Sequence, residues 1–155
     1  MSKEEFAALA EKYMDTIYRV AYSWTKSPDD ANDVTQDVLI QLYKTPKEFE
    51  SDSHLKNWLI RVTVNQCKML FRSPWNKTED IVEYADTLGF EEESHLDLFQ
   101  AVMNLHKKYR VPILLFYYEG YSTAEIAAIL NIPEKTVSTR LFRAKAKLKE
   151  YLKEE

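Results

Sequence analysis

The sequence has little of the residue types that cross-link a chain or turn it sharply. It contains one cysteine, Cys67, two glycines and five prolines in 155 residues. A single cysteine excludes an intramolecular disulfide, and so few glycines argue against β-meanders and glycine-rich phosphate loops, which need many positive-φ residues. No apolar run approaches the roughly 20 residues of a membrane span, and the acidic N-terminus is unlike a signal peptide. The sequence predicts an all-α, cytoplasmic protein.

Charge is strongly segregated along the chain, although the formal net charge is only −4. Residues 55–78 carry five Lys or Arg residues and no Asp or Glu, whereas residues 79–97 carry eight acidic residues and no basic one. Residues 135–149 again hold six basic residues and no acidic one. Two basic segments separated by an acidic one indicate a protein that contacts a polyanion at two places and something basic elsewhere.

Apolar periodicity predicts two small helical domains. A long helix carries Phe6 to Trp24 on one face, a second begins at Pro28 with Ser27 as its cap and ends near Lys44, and a third runs from about His54 to Phe71. The predicted organisation is an N-terminal domain, residues 1–75, an acidic linker, residues 76–95, and a C-terminal domain, residues 96–155.

The C-terminal domain has the pattern of a helix-turn-helix. A short apolar helix is expected over Tyr109 to Tyr118, with Pro112 in its first turn. Ser122 and Glu125 fit a capping box for a helix that runs through Leu130, and a last helix is expected from Pro133 to about Leu152. Two short helices joined by a tight turn are typical of this motif.

The last helix separates an apolar face from a polar, cationic one. Val137, Leu141, Ala144 and Leu148 recur at helical spacing and are expected to be buried. Turned away from them are hydroxyls, cations and one aromatic ring: Lys135, Thr136, Ser138, Thr139, Phe142 and Arg143. Such residues at the start of a recognition helix meet base edges. DNA binding is therefore favoured over a plain solvated basic helix.

The third helix carries a second cationic stripe, formed by Arg61, Asn65, Lys68 and Arg72. These residues lie opposite an expected apolar face, which consists of Trp58, Leu59, Val62, Met69 and Leu70. The stripe has no carboxylate within its own helix, so it is available for phosphates or an unpaired strand. The preceding loop, Phe49 to His54, has the chemistry to take a flipped base. A simple helix cap from Asp52 or Ser53 is the alternative account of that loop.

The second helix has an acidic polar face. Asp30, Asp33, Asp37 and Gln41 recur at helical spacing, next to Gln36. Asp30 lies in the first turn, where a carboxylate complements the helix dipole, but the others lie beyond it. They indicate a docking surface for a basic protein helix, with a solvated face as the alternative.

The sequence contains no set of residues that is typical of a catalytic site. His54, His95 and His106 are isolated, Cys67 lies among apolar residues, and no metal-binding, Walker or nucleophile-elbow motif occurs. Core, cap or surface roles account for each of these residues. No enzymatic activity and no cofactor are expected.

Three segments together resemble the extracytoplasmic-function sigma factors, the small two-domain promoter-recognition subunits of bacterial RNA polymerase. Residues 29–43 resemble the family's core-binding helix, residues 55–65 its promoter-melting helix, and residues 121–130 with 136–144 its C-terminal helix-turn-helix. The resemblance covers nearly the whole chain. It implies a protein that initiates transcription and catalyses no reaction itself.

The resemblance also implies partners and site residues. Asp33, Gln36 and Asp37, with Gln41 on the same face, would dock on the clamp helices of the largest subunit of core RNA polymerase. The loop Phe49 to His54 and the third helix would open and hold the minus-ten element of promoter DNA, through Phe49, His54, Asn57, Trp58, Arg61 and Asn65. Lys68 and Arg72, further along the cationic stripe, are predicted to join them. The minus-thirty-five element would be contacted by Ser138, Thr139, Arg140, Phe142 and Arg143, and Lys135 and Thr136 on the same helix face are predicted to join them. An anti-sigma factor is a further expected partner.

One residue departs from the family pattern: Ser138 stands where the family often has Lys or Arg, which puts one DNA contact in doubt. Two other classes stay open from the sequence. A response regulator or other helix-turn-helix regulator would explain the last 60 residues, but a receiver domain needs alternating strands and helices. A helical adaptor or anti-sigma-type protein would use both basic faces to bind protein.

Overall fold

The computed structural model describes residues 1–72 and 94–153, and within these ranges the regular structure is entirely helical. The described ranges contain seven helices: α1 (Lys3–Thr25), α2 (Pro28–Lys44), α3 (Asp52–Arg72), α4 (Ser94–Met103), α5 (Lys107–Tyr117), α6 (Thr123–Leu130) and α7 (Glu134–Lys153). The all-α prediction is confirmed. No helix in the described ranges has the length and apolar character needed to cross a membrane.

The helices form two compact units, α1–α3 in the first and α4–α7 in the second. The predicted acidic linker, residues 76–95, lies outside the described residues except for Ser94 and His95, which begin α4. The two-domain architecture is confirmed, while the exact domain boundaries stay predictions.

In the first unit each helix packs on the other two. The Ser27 hydroxyl accepts a hydrogen bond from the Asp30 backbone N–H, and Pro28 occupies the first helical position of α2, as predicted. The apolar positions of α1 and α2 converge on one core. Its buried members include Tyr13, Ile17, Val20, Ala31, Val34, Val38 and Leu42.

The third helix differs from its prediction in its start and its buried face. It begins at Asp52, and the capping hydroxyl belongs to Ser51, which accepts a hydrogen bond from the His54 backbone N–H at 3.1 Å. Met69, expected to be buried, is 60% exposed. Leu59 is buried as predicted, but the rest of the buried side consists of other residues: Leu55, Ile60, Thr63, Val64 and Cys67. The predicted face was wrong at its other positions because α3 contacts both α1 and α2, so its core side is centred on Ile60 and Val64.

In the second unit α4, α5 and α6 all pack against α7. α5 begins at Lys107, with His106 as its N-cap, so Pro112 lies past the first turn in which it was expected. The Ser122–Glu125 capping box of α6 is confirmed, with both reciprocal hydrogen bonds present. Asn131 then takes a left-handed conformation with φ 59°, which turns the chain between α6 and α7.

Candidate nucleic-acid interface

The helix-turn-helix presents the polar face of α7 to solvent. Val137, Leu141, Ala144 and Leu148 are buried, as predicted, against the other helices of the second unit. The Thr123 hydroxyl donates a 2.7 Å hydrogen bond to the Glu134 side chain, which joins the first residues of α6 and α7. α6 thereby holds the start of α7 in place.

Seven predicted contact residues of α7 form what we name the reading face: Lys135, Thr136, Ser138, Thr139, Arg140, Phe142 and Arg143. Phe142 is 74% exposed, an uncommon state for a large apolar ring. Thr136 and Arg140 are half-buried and the other four are exposed. The Thr139 hydroxyl donates to the Lys135 backbone carbonyl at 3.0 Å, so it reaches a ligand as an acceptor.

A groove of about 380 Å³ runs beside the reading face. Its lining includes five of the seven predicted residues: Lys135, Thr136, Thr139, Arg140 and Arg143. It also includes Lys108 and Tyr109, from the start of α5, which the sequence analysis missed. No spacing rule connects positions 108 and 143. A lysine pair at Lys107 and Lys108 just before an apolar helix was the available signal.

In the first unit, the loop before α3 packs as an aromatic cluster formed by Phe49, His54 and Trp58. The Phe49 ring centroid lies 5.3 Å from that of His54 and 5.4 Å from that of Trp58, both at steep interplanar angles. His54 Nδ1 also accepts a 3.1 Å hydrogen bond from the Glu50 backbone N–H. All three side chains are half-buried. The structure therefore brings together three residues that were predicted to contact one DNA element.

The cationic stripe continues along α3 from this cluster. Asn57 and Lys68 are half-buried, and Arg61 and Asn65 are exposed. Arg72 is the last residue of α3, and its side chain lies outside the described residues. Within residues 1–72, Arg61 forms no ion pair with a carboxylate. An ion pair elsewhere in the first unit joins Lys12 Nζ to Asp52 Oδ2 at 3.1 Å, between α1 and α3.

The four predicted polymerase-contacting residues form an exposed acidic surface on α2, consisting of Asp33, Gln36, Asp37 and Gln41. Gln66 of α3 links two of them: it accepts a hydrogen bond from Gln41 at 3.3 Å and donates one to Asp37 at 3.4 Å. The acidic surface is thus tied to the helix that bears the cationic stripe.

A shallow groove of about 290 Å³ lies between α2 and α3 at this surface. Asp30, Asp33 and Asp37 line one side, and Met69 and Leu70 of α3 contribute an apolar side. Burial raises the pKa of the Asp30 carboxyl above its usual value, and the neighbouring carboxylates of Asp33 and Asp29 add to this. A cationic partner with one apolar side chain would match both sides.

Family models match this chain in two places and in the order of its two units. The family model described as "Sigma-70 region 2" matches residues 9–77, and the model described as "Sigma-70, region 4" matches residues 95–148. Both matches fall on the helices that carry the surfaces described above. The two units together define a protein of the sigma-70 class.

Comparison with individual relatives shows which group within the sigma-70 class this chain resembles. The chain is 29% identical over 147 residues to the ECF RNA polymerase sigma factor SigM of Mycobacterium tuberculosis, covering 92% of this chain and 74% of that one. In fold it is similar to the sigma factor RpoE of Bartonella quintana, solved in complex with the anti-sigma factor NepR, with a TM-score of 0.73, 23% identity, and coverage of 97% and 98%.

It is also similar to CnrH, solved in complex with the cytosolic domain of CnrY, with a TM-score of 0.67, 25% identity, and coverage of 99% and 91%. The chain belongs to the extracytoplasmic-function sigma factors, a family that serves transcription initiation by RNA polymerase. This confirms the resemblance inferred from the three sequence segments. It also leaves no place for the response-regulator alternative, since residues 1–72 form three helices and no receiver-like sheet.

Proposed function

We propose that this chain is an alternative sigma factor that binds core RNA polymerase through α2 and directs initiation at its own class of promoters. In this proposal α7 contacts the minus-thirty-five element, while α3 and its preceding loop open the minus-ten element. The observation that carries it is the pairing of two exposed cationic helix faces, one on each unit, with a separate acidic surface on α2.

The minus-thirty-five contact is supported by the exposure of the reading face. A recognition helix reads bases with the first half of its length, and residues 135–143 occupy that half of α7. An arginine can bridge a guanine, and an apolar ring such as Phe142 can contact a thymine methyl group. Ser138 offers only a hydroxyl, so α7 depends on Lys135, Arg140 and Arg143 for charged contacts along this face.

The minus-ten contact is supported by the aromatic cluster and the stripe that continues from it. Rings on which bases stack, next to cations that track a backbone, are the features of single-strand binding. Opening of the duplex would then follow from differential binding: these side chains interact with melted DNA more strongly than with paired DNA, which shifts the equilibrium toward the open form.

Polymerase binding is supported by the acidic surface of α2 and its groove. Carboxylates beside Met69 and Leu70 suit a basic helix with an apolar contact at its centre. The clamp helices of the largest polymerase subunit are the proposed partner. An anti-sigma factor is proposed as a second partner, by analogy with the sigma factor RpoE, which was solved in complex with the anti-sigma factor NepR. The cytoplasm is the proposed site of action.

Transcription reconstituted from purified components tests the proposal. The chain is combined with core polymerase and a promoter fragment selected from a random DNA library by the holoenzyme. We expect transcripts from a defined start site that core polymerase alone ignores. If no library sequence is enriched over scrambled DNA, sequence reading is wrong, and an adaptor that binds only protein becomes the better account.

A charge reversal tests the acidic surface. Asp37→Lys should abolish association with core polymerase because it places a cation against a basic partner and breaks the hydrogen bond to Gln66. Asp15→Lys, at an exposed position of α1, is the matched control and should bind normally. Equal pull-down of both variants, each with a wild-type thermal unfolding curve, would contradict the assignment of α2.

A further inference from the structure

The side chain of Tyr109, at the start of α5, lies close to cations from two helices. Tyr109 is 9% exposed and packs in the second unit. Lys108 Nζ lies 5.2 Å from its ring centroid, and Lys147 Nζ, from α7, lies 5.6 Å from the same centroid. Both distances are within the range of cation–π attraction. One ring thus holds together two lysines that are far apart in sequence.

The same tyrosine lies beside the reading face. Tyr109 and Arg143 line one groove, and the Arg143 guanidinium is near enough to the phenol to influence its ionisation. Burial opposes ionisation of this phenol, but the nearby cations Lys108, Arg143 and Lys147 outweigh burial and lower the pKa of Tyr109. The direction of the shift agrees with the geometry: the phenol lies in a strongly positive field.

The cluster around Tyr109 combines the positive charges of three side chains. Within residues 98–151, Lys108, Arg143 and Lys147 form no ion pair with a carboxylate. Three like charges around one ring repel one another, and an anion bound between them would remove that repulsion. Lys108, Tyr109 and Arg143 also line the groove of about 380 Å³ beside the reading face, which gives an anion access.

We propose that Lys108 and Lys147 bind one backbone phosphate of the minus-thirty-five duplex, and that Tyr109 acts as a positioning residue for both lysines and for Arg143. The proposal rests on the proposed function of α7. It adds α5 to the DNA interface, and a phosphate held there would fix the register of the neighbouring reading face on the duplex. DNA is favoured over a free anion because Lys135, Thr136, Thr139 and Arg140 line the same groove.

Neutralising single phosphates tests this site in the reconstituted holoenzyme. Promoter fragments carry one methylphosphonate at each successive position around the minus-thirty-five element. With the wild-type chain, we expect one position near the reading face to weaken binding severalfold. With Lys108→Gln that penalty should shrink clearly, since only Lys147 remains at the phosphate. Binding should fall equally on all promoter sequences, and the slope of log K against log salt should decrease by about 0.9.

Lys149→Gln, an equal loss of charge on α7, is the matched control. Lys149 lines a different groove, with Leu98 and Tyr117, so this variant should keep the wild-type sensitivity to that phosphate. If Lys108→Gln also keeps it while the wild-type holoenzyme still selects its promoter, the phosphate site is wrong and the proposed function stands. Loss of promoter selection by the wild type would instead overturn the proposed function.

Tyr109→Phe tests the positioning role because it keeps the ring and removes the hydroxyl. We expect it to retain the phosphate effect but to relax, severalfold, the preference for the base that Arg143 contacts. An unchanged base preference, at an unchanged unfolding temperature, would contradict this role. A last experiment measures how well inorganic phosphate competes with promoter DNA for the holoenzyme. If Lys108→Gln weakens this competition without altering the methylphosphonate pattern, the site binds a free anion and the assignment to DNA is wrong.

Discussion

The two cationic helices, α3 and α7, are embedded in their units to different depths. α3 contacts both α1 and α2, and its buried residues extend around a wide side of the helix, from Leu55 to Cys67. α7 buries a narrow stripe at positions 137, 141, 144 and 148 and leaves the residues between them exposed or half-buried. A helix with a narrow buried stripe can enter a DNA groove, whereas a deeply embedded one can offer only a single edge.

This difference matches the two proposed tasks. Reading a duplex requires several side chains to reach base edges at once, which the exposed side of α7 allows. Holding an opened strand requires a fixed edge with rings and cations along it, which α3 and the aromatic cluster provide. The comparison predicts that substitutions of buried residues have their largest effect, on stability, in α3. Substitutions of exposed contact residues should have their largest effect, on DNA binding, in α7.

The largest expected effect is on the stability of the first unit. Leu59 of α3 is 1% exposed, so Leu59→Ala should lower the free energy of unfolding by about 2–5 kcal/mol. Met69→Ala, on the same helix at an exposed position, should change it by less than about 0.5 kcal/mol. Urea unfolding of the full chain, followed by circular dichroism, measures both. Equal losses would mean that α3 is not embedded as described.

The next effect is on DNA binding by α7. Arg143→Ala should weaken holoenzyme binding to the selected promoter by about 1–3 kcal/mol and relax the preference at one base pair. Arg61→Ala on α3 should instead weaken binding to duplexes with a pre-opened minus-ten bubble. Electrophoretic mobility shifts on duplex and bubble templates separate the two. If both variants lost affinity in the same proportion on both templates, the division of tasks would be wrong.

A smaller effect is expected at the helix that presents α7. Ser122 accepts the Glu125 backbone N–H at 3.1 Å, so Ser122→Ala should cost about 1 kcal/mol of stability, while Ser122→Asp should restore most of it. Thermal unfolding compares the three chains. If the alanine variant unfolds like the wild type, α6 contributes less to holding α7 than the geometry indicates.

The smallest effect concerns a carboxyl group beside α3. The pKa of Asp30 is raised, so the folded chain favours its protonated form and stability falls as pH rises through that pKa. Asp30→Asn should therefore unfold at a slightly higher temperature at neutral pH, and the gain should vanish on acidification. Calorimetry over a pH series measures it. A gain that grew as the pH fell would reverse the sign and contradict the assignment.

The sequence predicted well what depends on local chemistry. The Ser27–Pro28 start of α2, the Ser122 capping box and the buried stripe of α7 are properties of residues a few positions apart. The face of α3 was wrong at Met69 because two neighbouring helices, not periodicity alone, decide which side is buried. Tyr109 was missed because its partners on α7 lie more than 30 positions away in the sequence.

The single cysteine makes the opening of the first unit measurable. The thiol of Cys67 is fully buried in α3, so an alkylating reagent reaches it only when that helix bundle opens. The labelling rate of the unmodified chain therefore reports how often the helix bundle opens, and no additional cysteine has to be introduced. A partner that clamps α2 against α3 should slow this rate, and an oxidant in the cell would find the thiol shielded for as long as the bundle stays closed.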